Sequence, residues 1–269
     1  MIEWNVAPEI FSLNIMGFNL APRWYGLAYV LGFFLGEKYV GSYMIKKGFT
    51  KDEVSKLFVH MLTGTIVGAR LGHCLFYEPA KYLSDPFSIL KVWEGGLASH
   101  GGFLGVIIAI WIYNRRVKKL DFIWLLDVVA APSLITGAYI RLGNLMNSEI
   151  LGHPADVPWA FVFKRVDNIP RHPSQLYEAL GYGTVSLIVF YLYRKFHDTW
   201  PKGRFVGLIL VGGMGYRFFV EIFKDNQVAF ENDLFINMGQ ILSLPMMALG
   251  FLLIFKKQTI DKLITPRQN

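Results

Sequence analysis

The chain has 269 residues, of which 53% are hydrophobic, 16% aromatic and 17% charged, and its mean hydropathy is +0.36. A soluble domain usually carries about 25% charged residues, so this composition excludes a disordered or fibrous chain and provides too little polar surface for a soluble globule. The single cysteine, Cys74, excludes a disulfide framework and any metal cluster built on several cysteines. The composition is therefore that of an integral membrane protein.

Seven apolar stretches long enough to cross a bilayer follow one another along the chain. A transmembrane helix needs about 20 residues, and seven such helices leave enough chain for loops and tails. The stretches are residues 24–45, 55–77, 97–113, 122–146, 175–193, 204–223 and 235–255. We therefore predict an all-α integral membrane protein, a bundle of seven transmembrane helices that forms one polytopic domain over residues 1–269.

The basic residues between these stretches predict the orientation of the bundle. One alternating set of segments holds 15 Lys and Arg and the other holds 7. The richer set is 46–53, 114–121, 194–204 and the tail after 255, and the poorer set is 1–23, 78–96, 148–172 and 224–234. Because segments rich in Lys and Arg stay in the cytoplasm, we expect the N-terminus and the two larger loop segments, 78–96 and 148–172, outside and the C-terminus inside. The net charge of +7 is then a topology signal and does not indicate nucleic-acid binding.

Gly64, Gly68 and Gly72 recur every four residues in the second stretch. Small residues at this spacing let a neighbouring helix approach closely in a membrane. We expect these glycines to serve helix packing.

Ionisable and amide side chains lie within or at the ends of the predicted helices, where such groups usually face the interior of the bundle. They are Arg70, His73, His100, Asp127, Arg141, Asn144, Asn147, Glu149, Glu178, Arg217 and Glu221. In the densest run, helical spacing places Arg141, Asn144 and Ser148 on one face. A guanidinium beside amides is suited to binding a phosphate bidentately. The alternative for this run is a helix cap with a buried ion pair between Arg141 and Glu149.

Two further groups allow a structural or a functional interpretation. Arg217 and Glu221 are four residues apart and share a helix face, so they form either a structural ion pair or, with Arg141, part of a two-arginine clamp on a phosphodiester. His100 is flanked by glycines at the entry to the third stretch, where it is either a structural histidine or a general base.

Motifs for metal or nucleotide chemistry are missing from the sequence. The six histidines form no HExxH motif, and the chain has neither a P-loop nor a GxSxG elbow. We therefore expect neither metal nor cofactor. The arginines, amides and carboxylates indicate either an enzyme acting on a lipid headgroup or a transporter of lipids or anions.

The polar run also forms part of a wider motif pattern. It reads Arg-x-Gly-Asn-x-x-Asn-x-Glu-x-x-Gly, with Arg141, Gly143, Asn144, Asn147, Glu149 and Gly152. The other motifs are Arg23-Trp24-Tyr25-Gly26, Arg70-Leu71-Gly72, His100-Gly101-Gly102, Arg171-His172-Pro173-Ser174-Gln175-Leu176-Tyr177-Glu178, Arg217 with Glu221, and Gly239-Gln240. Together they resemble the prolipoprotein diacylglyceryl transferase family of bacterial inner membranes over nearly the whole chain. The chain departs from the usual family pattern at Gly213, where many members carry Tyr, at Lys224, where many carry Arg, and at Ile140, where a glycine is usual.

The resemblance implies transfer of the diacylglyceryl group from phosphatidylglycerol to the lipobox cysteine of a prolipoprotein signal peptide, with release of glycerol phosphate. It implies a multi-pass protein of the bacterial inner membrane, with a periplasmic N-terminus, a cytoplasmic C-terminus and contacts to membrane lipids. That reaction needs a thiolate and neutralisation of charge on phosphate. Of the matched residues, Arg141 and Arg217 suit the neutralisation, and His100 is the best candidate to accept the thiol proton, so we expect these three to be catalytic. The implied substrate-binding residues are Tyr25, Arg70, Asn144, Asn147, Glu149, Gly152 and Glu221.

Reporter fusions test the predicted orientation. Fusions after Lys195 and after Lys257 are expected to be active only as cytoplasmic reporters, since both points lie in segments rich in Lys and Arg. A periplasmic signal from either fusion would reverse the orientation and move the site to the other leaflet.

Overall fold

The computed structural model describes residues 1–15, 18–92, 96–117, 121–225 and 235–255. Helices dominate this part of the chain, which confirms the predicted helical class. The helices are α1 (Trp24–Lys46), α2 (Lys51–Phe76), α3 (Pro79–Ser84), α4 (Ser99–Val117), α5 (Phe122–Asn147), α6 (Ser174–Phe196), α7 (Arg204–Val220) and α8 (Met238–Phe255). Each predicted stretch coincides with one of the long helices, while the short α3 lies in the segment 78–96. The fusion point after Lys257 and the basic tail lie outside the described residues.

Within the part of the chain that the structure describes, four helices are long and apolar enough to cross a membrane: α5, α6, α8, and α7 together with the 3-10 turn that extends it to Phe223. This makes the chain a multi-pass membrane protein. The other long helices carry charges within their length, such as Glu37 and Lys38 in α1 and the buried Arg70 in α2.

Local sequence explains where several helices begin. Thr50 and Glu53 form a capping box at the start of α2, in which the Thr50 hydroxyl accepts from the Glu53 amide and the Glu53 carboxylate accepts from the Thr50 amide. Pro79 stands in the first turn of α3, where its missing amide hydrogen is not needed.

Five short strands outside the long helices were not predicted. β1 (Ile2–Trp4) pairs in parallel with β4 (Phe161–Phe163), and β5 (Pro170–Arg171) pairs antiparallel to β4. A separate antiparallel hairpin joins β2 (Leu13–Ile15) to β3 (Phe18–Leu20). Strands of two or three residues are too short for a periodic pattern to reveal them.

The three-stranded sheet is attached to the end of α5. The Trp4 indole donates to the Leu145 carbonyl at 2.9 Å, and Leu145, Phe161 and Phe163 form one buried apolar cluster with Trp4 packed against it. Through these contacts β1 holds β4 close to the C-terminal end of α5, the helix that carries Arg141.

The chain divides into two compact units, Met1–Gly36 with Asp127–Asn269 and Glu37–Leu126. In the second unit, α2 and α4 pack through their glycines. A Cβ on Gly68 would lie 2.3 Å from the Gly101 carbonyl oxygen, and a Cβ on Gly64 would lie 2.4 Å from that of Gly105. The two backbones are in direct contact, so the predicted packing role of the α2 glycines is confirmed. Cys74 is buried, as expected for a small core residue.

In the first unit, α6, α7 and α8 pack in sequence, and α5 fixes the start of α7. The Asp127 carboxylate accepts from the Gly203 amide at 2.6 Å and from the Val206 amide at 2.9 Å. The amides of Gly203 and Val206 lie at the start of α7, where backbone amides have no acceptor within the helix. The Asp127 side chain of α5 therefore caps α7.

Filling the glycine contact should destabilise the second unit. Gly68→Ala forces two backbones apart and is expected to lower stability by about 1–3 kcal/mol, seen as a lower thermal unfolding midpoint in detergent. The matched control is Gly183→Ala in α6, where the new Cβ would meet only Ile135 Cδ1 at 3.9 Å. An unchanged midpoint for Gly68→Ala would contradict the direct packing of the two backbones.

Candidate active site

The motif run from Arg141 to Gly152, called the signature run below, begins in α5 and continues into a strained turn. α5 ends at Asn147, and Ser148 and Ile150 both have a φ of 55°, in the left-handed region. This conformation is costly for a residue with a Cβ, and most of all for a β-branched one such as Ile150. Two side chains at the start of α6 hold the turn: the Ser174 hydroxyl donates to the Ile150 carbonyl at 2.9 Å, and the Gln175 amide donates to the Glu149 carbonyl.

The turn folds Glu149 back onto the amides of the helix. Asn144 Nδ2 donates to Glu149 Oε2 at 3.2 Å, and Asn147 Nδ2 donates to Glu149 Oε1 at 3.1 Å. Asn144 in turn accepts from Arg141 Nη1 at 3.2 Å. Four residues predicted for the site are therefore joined in one hydrogen-bonded series.

Arg141 pairs with Glu178 of α6. Its Nε lies 3.0 Å from Glu178 Oε2, and the Glu178 side chain is fully buried. The alternative of a buried Arg141–Glu149 pair is therefore wrong, since Glu149 is exposed and contacts amides. A buried carboxylate must be paired and hydrogen-bonded to remain charged, and the Tyr182 hydroxyl adds a bond to Glu178 Oε1 at 3.1 Å.

The Glu178 carboxylate also interacts with the second arginine, Arg217. Arg217 Nη1 lies 3.8 Å from Glu178 Oε1, and Arg217 Nη2 lies 3.1 Å from Glu221 Oε1. The ion pair predicted from the spacing of Arg217 and Glu221 is present, and Glu178 links it to Arg141. Two guanidiniums on different helices thus converge on one buried carboxylate.

A lysine completes this cluster. Lys224 Nζ donates to Glu221 Oε1 at 2.7 Å and lies 3.7 Å from Glu178 Oε1. We did not place Glu178 or Lys224 in the site from the sequence. Glu178 carried a usable signal, a carboxylate inside an apolar helix, whereas Lys224 was noted only as a departure from the Arg that is usual in the family.

The arginines are the accessible members of this group. The Arg141 and Arg217 side chains are 16% and 27% exposed, whereas those of Glu178, Glu221 and Lys224 are 0%, 6% and 4% exposed. A ligand that reaches this cluster therefore meets the two arginine side chains more readily than the carboxylates or the lysine. Planar donor groups of this kind are suited to an anion such as phosphate.

Gly152 is required by backbone packing. A Cβ there would lie 2.4 Å from the His172 carbonyl oxygen and 2.7 Å from that of Phe223, and Gly152 forms a β-bridge with Lys224. The close approach of three backbone segments therefore accounts for the glycine. It brings the chain after α7 against the turn after α5.

Arg171 fixes the same region from outside the helices. It forms ion pairs with Asp167 at 2.8 Å and with Asp225, and it donates to the Gly152 carbonyl at 3.2 Å. The hydrogen bonds from Arg171 lower the pKa of the Asp167 carboxyl below its usual value. Asp167 therefore keeps its charge at neutral pH and holds the arginine in place.

Tyr25 of α1 lies against the signature run. A Cβ on Gly143 would lie 3.0 Å from Tyr25 Cδ2 and 3.1 Å from its Cα, so the first turn of α1 packs on α5 between Arg141 and Asn144. The structure thus gathers Tyr25 with the other predicted residues of the first unit.

The remaining predicted residues, Arg70 and His100, belong to the second unit. Arg70 is buried, and its guanidinium donates to the carbonyls of Ser88 at 2.6 Å, Ile89 at 2.9 Å and Gly96 at 3.3 Å. The Arg70 side chain thus holds the backbone of the loop after α2 in place, a role that the sequence analysis did not predict.

His100 lies in the first turn of α4 and is exposed, with its ring 6.3 Å from that of Tyr77. Its accessibility suits an exchange of protons with a substrate. Among the described residues, no group of three His, Cys, Asp or Glu side chains is arranged to hold a metal ion.

Comparisons with known proteins show the family of this chain. Residues 11–256 match the family model described as prolipoprotein diacylglyceryl transferase. Three similar proteins bear the name phosphatidylglycerol–prolipoprotein diacylglyceryl transferase. That of Chloroherpeton thalassium is 43% identical over 260 residues, which cover 95% of this chain and 94% of the relative.

The other two are similar over as much of their length. That of Tolumonas auensis is 42% identical over 253 residues, covering 94% of this chain and 96% of the relative. That of Bacteroides fragilis is 42% identical over 274 residues, covering 96% and 97%. The family model and the relatives confirm the resemblance read from the motifs, and the chain belongs to the prolipoprotein diacylglyceryl transferase family.

Proposed function

We propose that this transferase moves the diacylglyceryl group of phosphatidylglycerol onto the cysteine thiol of a prolipoprotein, the first step of lipoprotein maturation. The names of its relatives support both substrates. The observation that carries the proposal is the pair of partly exposed arginines, Arg141 and Arg217, whose guanidinium groups both face the buried Glu178. The lipobox cysteine of the signal peptide supplies the thiol.

The reaction replaces a carbon–oxygen bond by a carbon–sulfur bond. The thiolate attacks the glycerol carbon that carries the phosphate ester, a thioether forms, and the ester oxygen leaves with the bonding electrons as part of glycerol phosphate. The phosphate gains one negative charge in this step. Donors placed in advance around that charge lower the barrier, and this is the role of Arg141 and Arg217.

The thiol must lose its proton before it attacks, since the thiolate is the nucleophile. His100 is the proposed base because the ordinary pKa of imidazole lies near neutrality and its side chain is exposed. Glu221 and Glu178 orient the guanidiniums. Asn144, Asn147 and Glu149 keep the turn after α5 in place beside the headgroup, with Tyr25 adjacent to them.

The proposed setting is the bacterial inner membrane. Seven helices cross it, with the N-terminus and the segments 78–96 and 148–172 on the periplasmic side, where secreted prolipoproteins and the outer leaflet meet. Neither metal nor cofactor takes part, and the contacting macromolecules are the signal peptide and membrane lipids.

The alternative, a transporter that binds a lipid headgroup without chemistry, uses the same arginines but forms no product. The distinguishing experiment incubates purified protein with phosphatidylglycerol and a lipobox peptide. We expect a peptide with thioether-linked diacylglycerol, detected by mass spectrometry. Binding of phosphatidylglycerol without that product would favour the transporter.

Replacing either arginine with lysine tests the role of the planar guanidinium. Arg141→Lys and Arg217→Lys keep the positive charge but lose the fork that holds two phosphate oxygens. The loss of one charge-assisted hydrogen bond costs about 1.5–3 kcal/mol, which corresponds to roughly ten- to a hundredfold in rate. We expect both variants to enter the membrane normally and to lose most transferase activity.

Arg115→Lys is the matched control. Arg115 lies in the last turn of α4, at the opposite end of that helix from His100, and its guanidinium stacks on the Trp111 ring. The activity of this variant should equal that of the wild type. Near-normal transfer by both Arg141→Lys and Arg217→Lys would leave only the structural ion pairs and rule out the clamp.

His100→Gln tests the proposed base. The variant should lower kcat far more than it weakens binding of phosphatidylglycerol, because the amide cannot accept the thiol proton. The measurement is kcat and KM for phosphatidylglycerol across neutral pH. Full turnover of the variant over that range would assign proton removal to another group.

A further inference from the structure

Five side chains form a contiguous charge cluster in the first unit: Arg141, Arg217, Lys224, Glu178 and Glu221. Three are cations and two are carboxylates, so the cluster carries one net positive charge. Two other carboxylates of this unit are not counted in the cluster. Glu149 is exposed, so solvent screens its charge, and it accepts from the neutral amides of Asn144 and Asn147. Asp225 is paired with Arg171 and His153.

Lys224 and Arg217 share the same oxygen atoms. Glu221 Oε1 lies 3.1 Å from Arg217 Nη2 and 2.7 Å from Lys224 Nζ. Glu178 Oε1 lies 3.8 Å from Arg217 Nη1 and 3.7 Å from Lys224 Nζ. Because a carboxylate oxygen shared between two cations holds each of them less strongly than it would hold one, Lys224 weakens the hold of both carboxylates on the arginine.

Lys224 itself is poorly placed to touch a ligand. Its side chain is 4% exposed, and its ammonium group already lies against two carboxylates. The side chains of Arg141 and Arg217, in contrast, are partly exposed. The effect of Lys224 on a ligand is therefore exerted through the arginines.

We propose that Lys224 is a positioning residue that sets the charge of the phosphate site. This inference rests on the proposed function, because it takes the ligand to be the phosphodiester of phosphatidylglycerol. A phosphodiester carries one negative charge, which the net positive charge of the cluster balances. Without Lys224 the two carboxylates neutralise the two arginines, and the phosphate meets a site with no net attraction.

Three variants test the charge balance. Lys224→Met should reduce kcat/KM for phosphatidylglycerol at least roughly tenfold, the effect of about one lost charge-assisted contact. Lys224→Arg restores the charge and should retain most activity. The double variant Lys224→Met with Glu221→Gln removes one charge of each sign, returns the cluster to one net positive charge, and should recover most of the loss.

The double variant separates charge balance from a purely structural role. A structural lysine would give a double variant no better than Lys224→Met, since a second contact has been removed. If Lys224→Met is not recovered from membranes, the double variant still decides, because removing both partners of a buried pair is tolerated better than removing one. A double variant that is missing from the membrane, or present but inactive, overturns the proposal.

Lys164→Met is the matched control, because Lys164 pairs with Glu3 at 3.1 Å on the surface. Exposed pairs of this kind contribute little, and kcat/KM should not change. A wild-type protein that forms no thioether product would refute the proposed function itself. Activity in the wild type, combined with full activity of Lys224→Met, would refute only the role of Lys224.

Discussion

The burial of one carboxylate organises the first unit. Glu178 is fully buried in α6, and an ionised carboxylate removed from water is highly unfavourable unless cations and hydrogen-bond donors surround it. Arg141 arrives from α5, Arg217 from α7, Lys224 from the chain that follows α7, and Tyr182 from the next turn of α6. Removing one partner of such a cluster typically costs about 3–5 kcal/mol. The relative placement of three helices therefore depends on this single acid.

The segments outside the helices serve the same arrangement. Gly152 lets the turn after α5 contact the chain after α7 through their backbones, and Arg171 ties both to the segment that precedes α6. The left-handed conformations of Ser148 and Ile150 are unfavourable, and the hydrogen bonds that Ser174 and Gln175 donate to the carbonyls of Ile150 and Glu149 help to offset that cost. A strained turn held in this way keeps the amides of Asn144 and Asn147 in one orientation before any ligand arrives.

The sequence predicts the long helices well because their signal is strong and local. A run of about 20 apolar residues has few alternatives to a helix in a membrane. The spacing of the α2 glycines predicts the close approach of a neighbouring helix, which the structure shows to be α4. Arg217 and Glu221 were paired correctly for the same reason, since residues four apart on a helix are neighbours.

Partners that lie far apart in the chain were not predictable in the same way. Arg141 pairs with Glu178 and not with Glu149, because the turn after α5 directs Glu149 toward the amides. Arg70 was expected at a substrate, but its guanidinium is bonded to loop carbonyls, which have no sequence signature. The burial of Lys224 depends on the backbone contact at Gly152, more than 70 residues earlier in the sequence.

The pairing of β1 with β4 constrains the order in which the protein forms. Ile2 aligns with Phe161, so the two strands are separated by more than 150 residues of intervening chain. During synthesis β1 has no partner until α5 and the segment after it have been made, and closing so long a loop is entropically unfavourable and slow. The sheet is thus a late event of assembly, and the apolar cluster around Leu145 closes only after the α5 helix is already in place.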